Sequence, residues 1–400
     1  MNKFRFLFLL FFLAACSDTG GETMDASLDG GVDPDAIVSL DASHDATTQP
    51  DSQTPDAEVP ELNVLFFDVG QGDSTLLQSS RNRAALIDTG RTVENAGRVG
   101  DVLWPSSFYY TVLLASHFDA DHMGSASRIV CGADGAPGVA GVDDNGDGFT
   151  DSRVLTGEYG FSGSDDFVFS AVWDRGDYDL PDTTLMEEYL AAFYGARYTP
   201  ETGEFLNLGM DDLKIEVVTV NGEILGGDFF APLDENGRSL SVLVSFRDFH
   251  LLIAGDLPTE GENILAQALF DRGVVLNVLR VGHHGSNTST GELILDYLQP
   301  EIVVISVGDS QSCGPGFNAY GHPSQEVLDR LAAGSVDMVF QTQQGGARPA
   351  TGECTPATGE TYPRNYHSLN VVFASDDIFL STQGSGYTIE AAGFTYNFHE

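Results

Sequence analysis

From Glu61 onward, short apolar runs alternate with polar, glycine-rich turns. LNVLFFDV (62–69) and STLLQ (74–78) have strand length and flank one such turn. AALIDTG (84–90) and YYTVLLASH (109–117) are further strands, each ending in polar residues. DLKIEVVTV (212–220), SLSVLVSFRD (239–248) and FHLLIAGD (249–256) have the same character. PTEGENILAQALFDRG (258–273) spaces its apolar residues for a helix and closes on a glycine. A strand follows in VVLNVLRVGHHGS (274–286), then a helix in TGELILDYLQP (290–300), a strand in EIVVISVG (301–308) and a helix in SQEVLDRLAAG (324–334). MVFQTQ, NVVFAS, IFLST and GYTIE close the chain as strands. This mixture predicts a layered α/β sandwich. Polar groups gathered at strand ends predict a site built from several loops. Residues 131–211, rich in Gly, Asp and aromatics, fit the scheme poorly and are expected to be an insertion covering the site.

The first sixty residues differ in kind. Lys3 and Arg5 precede an apolar run from Phe6 to Leu13, followed by Ala14, Ala15 and Cys16. A charged start, a short apolar stretch and a small-residue exit predict a secretory signal peptide over 1–15. The LAAC ending resembles a bacterial lipobox, which implies lipidation of Cys16 and a membrane anchor. Residues 17–60 hold eleven acids and no Lys or Arg among Ser, Thr, Pro and Gly. Such a segment buries too little apolar surface to offset its chain entropy, so a disordered spacer is expected over 16–60. The 340 residues from 61 to 400 suffice for one large domain.

The whole chain carries a formal −42. Without the two bases before residue 16 and the eleven acids of the spacer, 16 basic residues face 49 acidic ones, a formal −33. That field repels polyanions, so long nucleic acid is a poor partner on charge grounds. Cys131, Cys313 and Cys354 allow one bridge, and the Gly/Pro-rich surroundings of Cys313 and Cys354 favour that pair. A monomer is expected.

The densest chemistry lies in LLASHFDADHMGSA (113–126). Strand alternation turns His117 and Asp119 the same way, and a bend brings Asp121 and His122 to a second position. Four such ligands can hold two adjacent cations, and imidazole with carboxylate suits Zn²⁺ and Mn²⁺. A second candidate is DDNGDGFTD (143–151). There Asp143, Asn145 and Asp147 occupy calcium-loop positions, Asp151 is an added ligand, and the twelfth position is Val154 where a Glu is usual. The alternative is a solvated acidic loop.

SHFDADHMG resembles the H-x-[HD]-x-D-H motif of the metallo-β-lactamase-fold hydrolases. Together with FFDVGQGDSTLL, LIDTG, LLIAGD, LRVGHHGS and YGHPSQEVLDRL it is similar to the hydrolase domain of ComEC-type competence proteins, six motifs in order over residues 64–330. The resemblance implies a four-layer αββα sandwich and two divalent transition metals, Zn and/or Mn. It implies His117, Asp119, Asp121, His122, Asp256 and His283 as metal ligands. Asp256 would bridge, Asp88 would orient a ligand histidine, and His284 and His322 would join Asp121 in catalysis. Gln71 and Asp73 would sit at the cleft rim and contact substrate.

One departure concerns a further histidine usual between the first motif and the bridging Asp. His250 lies six residues from Asp256, roughly 20 Å along a strand, and so cannot share the metal. DENGRSLSVL (234–243) stands in that place and offers Asn236 and Ser239. An oxygen-rich first site favours Mn²⁺ or another hard ion. The implied reaction is hydrolysis by a metal-activated water, with phosphodiesters leading. Ester or lactone hydrolysis on the same fold, or a non-enzymatic calcium-dependent surface protein, are the alternatives.

Overall fold

The computed structural model describes residues 59–103, 109–131, 169–193, 196–309, 320–345, 365–367 and 369–399. The signal-type run, Cys16, nearly all of the acidic spacer, Asp143, Asn145, Asp147, Asp151, Cys313 and Cys354 lie outside the described residues.

Two large sheets form the centre. The first contains β1 (Leu62–Phe66), β2 (Thr75–Ser79), β3 (Arg83–Ile87), β4 (Tyr109–Leu114), β5 (Ala171–Trp173) and β6 (Arg197–Tyr198). The second contains β7 (Phe205–Leu206), β8 (Leu213–Val220), β9 (Glu223–Ile224), β10 (Asp228–Phe229), β11 (Ser241–Phe246), β12 (Phe249–Ile253), β13 (Val278–Arg280), β14 (Ile302–Ile305), β15 (Met338–Gln341) and β16 (Asn370–Phe373). The chain then returns to the first sheet as β17 (Ile378–Thr382), β18 (Tyr387–Ala391) and β19 (Phe394–Phe398), with β17 antiparallel to β1.

Side-chain alternation decides which face goes where. In β1, Leu62, Val64 and Phe66 are fully buried while Asn63 and Leu65 are half-buried. Val64, Phe66 and Leu77 of the first sheet meet Val242, Val244, Leu251 and Val304 of the second in one core. The strands from β12 to β16 run parallel. Their central members are apolar on both faces, as IVVI of β14 illustrates, because helices cover the outer side. Those helices are α5 (Thr259–Asp271), α6 (Glu292–Leu298) and α7 (Gln325–Ala333), whose Leu265, Leu269, Ile294, Leu298, Val327 and Leu331 pack on the second sheet. Ser324 caps α7 by accepting from the Val327 amide at 3.3 Å. On the first sheet's outer face lie α1 (Val93–Leu103), α3 (Ala126–Cys131) and α4 (Thr184–Ala192), with the single turn α2 (Ala120–Met123) at a strand end. The order helix, sheet, sheet, helix is the αββα sandwich.

The expected insertion is only partly described. Its described part is woven into both sheets: β5 and β6 extend the first in parallel with β4, α4 covers that sheet, and β7 pairs with β8. Among the described residues no helix is long and apolar enough to cross a membrane.

Candidate metal centre

The site forms at the carboxyl ends of parallel strands, β3 and β4 from one sheet and β12, β13 and β14 from the other. β4 stops at Leu114, and the chain then passes through Ala115 and Ser116 to His117. Asp119 stands at the N-cap of α2, which places Asp121 and His122 inside that one turn. His117 and His122 are fully buried with ring centroids 4.1 Å apart. Gly72 lets the 70–73 turn press on this segment, because a Cβ there would lie 2.5 Å from the Asp121 carbonyl oxygen. The Asp73 amide donates to that same oxygen at 3.0 Å.

Asp88 follows β3 with φ +58. Its Oδ1 accepts from the Ser116 amide at 2.8 Å, and its Oδ2 accepts from the Ser116 hydroxyl at 2.7 Å and faces His122 Nδ1 at 2.9 Å. With Nδ1 turned to Asp88, Nε2 is the ring atom turned inward, the one a cation would take on displacing its proton. Burial disfavours a charged His122, but Asp256 and Asp88 outweigh it and hold the imidazole well above its ordinary range.

Asp256, just past β12, is the hub. Its Oδ1 is 3.2 Å from His122 Nε2, while Oδ2 lies 4.0 Å from His117 Nε2, 3.6 Å from His283 Nε2 and 3.9 Å from His284 Nε2. Its amide donates to Ser239 Oγ at 3.2 Å, so Ser239 positions the hub from behind. Burial raises the Asp256 carboxyl, yet His122, His283 and His284 together bring it well below the usual range. Asp121 moves down likewise, burial being overcome by His284 and His122.

His283 and His284 both adopt left-handed backbone angles, φ 50 and 54, a conformation that costs about 1–3 kcal/mol per residue and is kept where surroundings fix it. The turn sends His284 inward and leaves His283 partly exposed. His284 Nδ1 is 3.1 Å from the Ser306 carbonyl, and its Nε2 faces Asp121 Oδ2 at 3.4 Å. Gly285, at φ +84, permits close approach of Pro323, since a Cβ would lie 2.6 Å from the proline Cβ. That contact brings His322 to a centroid distance of 5.7 Å from His283, with Tyr320 stacked on it at 5.8 Å.

Asp119, Asp121, Asp256, His283 and His284 face a cleft of about 140 Å³, whose lining is completed by Gln71, Tyr320 and His322. Asp73 is buried and paired with the buried guanidinium of Arg280, away from any rim. Its carboxylate joins His122, His284 and Asp256 as ligand atoms within 4.8 Å of one another. Thus His284, expected as a catalytic neighbour, shares the ligand cluster with His122, while His283 reaches Asp256 from the mouth. Asn236 and Ser239 are not among the cleft residues. His250 bonds Ser245 at 3.0 Å near the start of β12 and takes no part.

The residues fit a divalent cation. The buried Nε2 atoms of His117, His122 and His284, and Oδ1 of Asp256, make no hydrogen bond. Buried polar atoms rarely go unsatisfied, and these converge with the donor chemistry that Zn²⁺ and Mn²⁺ take. Two groups share Asp256: His117 with Asp119 at 3.6 Å, and His122, Asp121 and His284. Sequence reasoning missed Arg280 and Tyr320. A lone Arg in the apolar strand VLR is the signal for the first, since a charge there must find a buried partner.

No family model matches the chain. It is similar to ComE operon protein 3 of Bacillus subtilis (strain 168), 26% identical over 303 residues, 72% of this chain and 32% of that protein. Recombination protein 2 of Haemophilus influenzae is 34% identical over 280 residues, 68% of this chain and 26% of the relative. Competence protein ComA of Neisseria gonorrhoeae is 36% identical over 115 residues, 29% and 15% respectively. The chain therefore spans about a third or less of these relatives. Among solved structures, Tm1679, a metal-dependent hydrolase of the beta-lactamase superfamily, aligns over 71% of this chain and 97% of its own at 15% identity and TM-score 0.36. Unliganded yeast PDE1 aligns over 74% and 90% at 11% identity and TM-score 0.34. Its sequence matches make the chain a relative of the ComEC-type competence proteins over about a third or less of their length, and its αββα layering is that of the metallo-β-lactamase fold.

Proposed function

We propose that the chain is a two-metal hydrolase of phosphodiesters. The observation that carries this reading is the Asp256 carboxylate, one oxygen turned to His122 and the other to His117, His283 and His284. A cation pair held there supplies Lewis acidity toward water and toward charge developing on the substrate, which suits in-line displacement at phosphorus. The protein's own groups do the rest. Asp88 and the Ser306 carbonyl fix the Nδ1 sides of His122 and His284. His322, held between His283 and Tyr320, delivers a proton to the leaving oxygen.

The cleft, about 140 Å³ and lined by three carboxylates, favours a small phosphodiester or one link of a non-nucleic phosphate polymer. The formal −33 of residues 61–400 works against long nucleic acid. The basic start, apolar run and LAAC ending support export and anchoring through Cys16. Radiolabelled fatty acid should enter the wild type and not Cys16→Ser.

For the activity, metal-stripped protein is reloaded with Mn²⁺ or Zn²⁺ and given bis-p-nitrophenyl phosphate beside simple p-nitrophenyl esters. Turnover of the diester, lost in Asp121→Ala and His284→Ala, supports the proposal. Ester turnover alone changes the bond attacked. Failure to bind a transition metal ends the hydrolase reading.

A further inference from the structure

The segment DENGRSLSVL stands where a further metal histidine is usual, and its Asn236 and Ser239 do not line the cleft. Its Glu235 instead reaches the stretch that carries His117 and Asp119. Glu235 Oε1 accepts from the backbone amide of Phe118 at 2.8 Å, and Phe118 is the residue between His117 and Asp119. The same carboxylate takes a two-pronged contact from Arg175, Nε to Oε1 at 2.6 Å and the terminal nitrogen to Oε2 at 2.7 Å. Arg175 is fully buried, and its guanidinium lies 4.4 Å above the Phe118 ring. One pair of residues therefore holds both the backbone and the ring of Phe118.

We propose that Glu235 and Arg175 are positioning residues for the cation held by His117 and Asp119, acting through Phe118. The inference rests on the two-metal reading above. Neither residue touches a metal ligand's donor atom. They fix the residue on which both ligands pivot.

Three features set this contact apart from a stabilising ion pair elsewhere. The acceptor bond goes to the amide between two ligands. The guanidinium is clamped in turn, donating to the carbonyls of Tyr178 and Asp179. The pair also ties the loop after β5 in the first sheet to the loop before β11 in the second, and the Leu240 amide donates to the Ser116 carbonyl at 2.7 Å beside it. A bidentate charge-assisted pair holds geometry more tightly than a neutral bond. Metal sites require ligand placement to within about 0.5 Å.

The test is calorimetric titration of MnCl₂ into metal-stripped full-length protein, with thermal melting of the metal-free form alongside. Wild type takes two equivalents, and His117→Ala marks which belongs to the first site. Glu235→Ala weakens that equivalent by about 10- to 100-fold and leaves the other unchanged, the range seen when groups behind metal ligands are removed. Glu235→Gln keeps an acceptor for the Phe118 amide, so it restores most of the affinity. Arg175→Met/Glu235→Leu guards against misfolding, because it leaves no unpaired buried charge while still lacking the acceptor. This double variant shows the same selective loss as Glu235→Ala. If it binds both equivalents as wild type does and only melts lower, the pair is merely structural and the proposal fails. If wild type takes a single equivalent, the two-metal reading fails and this inference with it.

Discussion

The carboxylate of Asp88 meets Nδ1 of His122 at 2.9 Å with one oxygen and the amide of Ser116 at 2.8 Å with the other. A single residue just past β3 thus meets both the His122 imidazole and the backbone that leads into His117. Asp88→Asn keeps the shape but offers no charge to the imidazole. Metal affinity should fall about 10- to 100-fold, measured by competition with a chromophoric chelator, while the metal-free protein stays folded. Unchanged affinity would show that the contact does not tune His122.

Asp256 is shared between the two ligand groups, so its loss should reach both. In Asp256→Ala, bound Mn²⁺ or Zn²⁺ measured by elemental analysis should drop below one per chain, and diester turnover should fall by at least about 100-fold. His117→Ala, which touches one group, should retain close to one metal. Equal losses in the two variants would contradict the hub role drawn from Oδ1 facing His122 and Oδ2 facing His117.

Most of this centre was legible before any geometry. Strand ends carrying His117, Asp256 and His283 could be read because apolar runs of strand length stop at polar residues, and β4, β12 and β13 do stop close to those points. What the pattern did not reveal has physical causes. α1 is capped by Thr92, whose hydroxyl accepts from the Asn95 amide at 3.3 Å, but its VENAGRVGDVL holds two glycines among polar residues and reads as a polar stretch. β19 has two exposed residues at its start and so shows little alternation to detect. Asp73 follows a Gly-Gln-Gly turn that suggests solvent, yet Gly72 packs that turn against Asp121 and buries the carboxylate on Arg280. Which of His283 and His284 points inward depends on two consecutive left-handed residues, and no periodicity encodes that. Glu235 acts through a main-chain bond to Phe118, a contact that leaves no motif.

Glu262 offers a pH-dependent test behind the His283 turn, where a Cβ on Gly282 would lie 3.0 Å from its carboxylate. It is buried in α5 and accepts from the amides of Thr290 and Gly291 at 2.9 Å each. Burial outweighs those bonds and pushes its carboxyl from an ordinary 4.5 up to about 7. The folded state therefore holds this proton more tightly than the unfolded chain does. The resulting stabilisation is complete below pH 4.5 and is lost as pH rises toward 7, a change on the order of 3 kcal/mol. Urea midpoints of the wild type should decline across that window relative to Glu262→Gln, which cannot ionise. Parallel curves for the two proteins would place the titration elsewhere.

The Asp73–Arg280 pair supports the centre from below, and its two halves make an asymmetric prediction. Both side chains are buried, and Arg280 also donates to the Gly255 carbonyl at 3.1 Å, next to Asp256. Arg280→Met strands the Asp73 carboxylate beside Asp256 without its counter-charge, and breaking a buried pair from one side typically costs about 3–5 kcal/mol. Asp73→Leu/Arg280→Met removes both charges, so chemical denaturation of the metal-free protein should recover much of that loss. Metal affinity should not recover with it, because Asp73 lies in the four-residue ligand cluster with His122, Asp256 and His284. Stability and metal binding would then separate in a single variant. Recovery of both would mean that Asp73 serves only to neutralise Arg280.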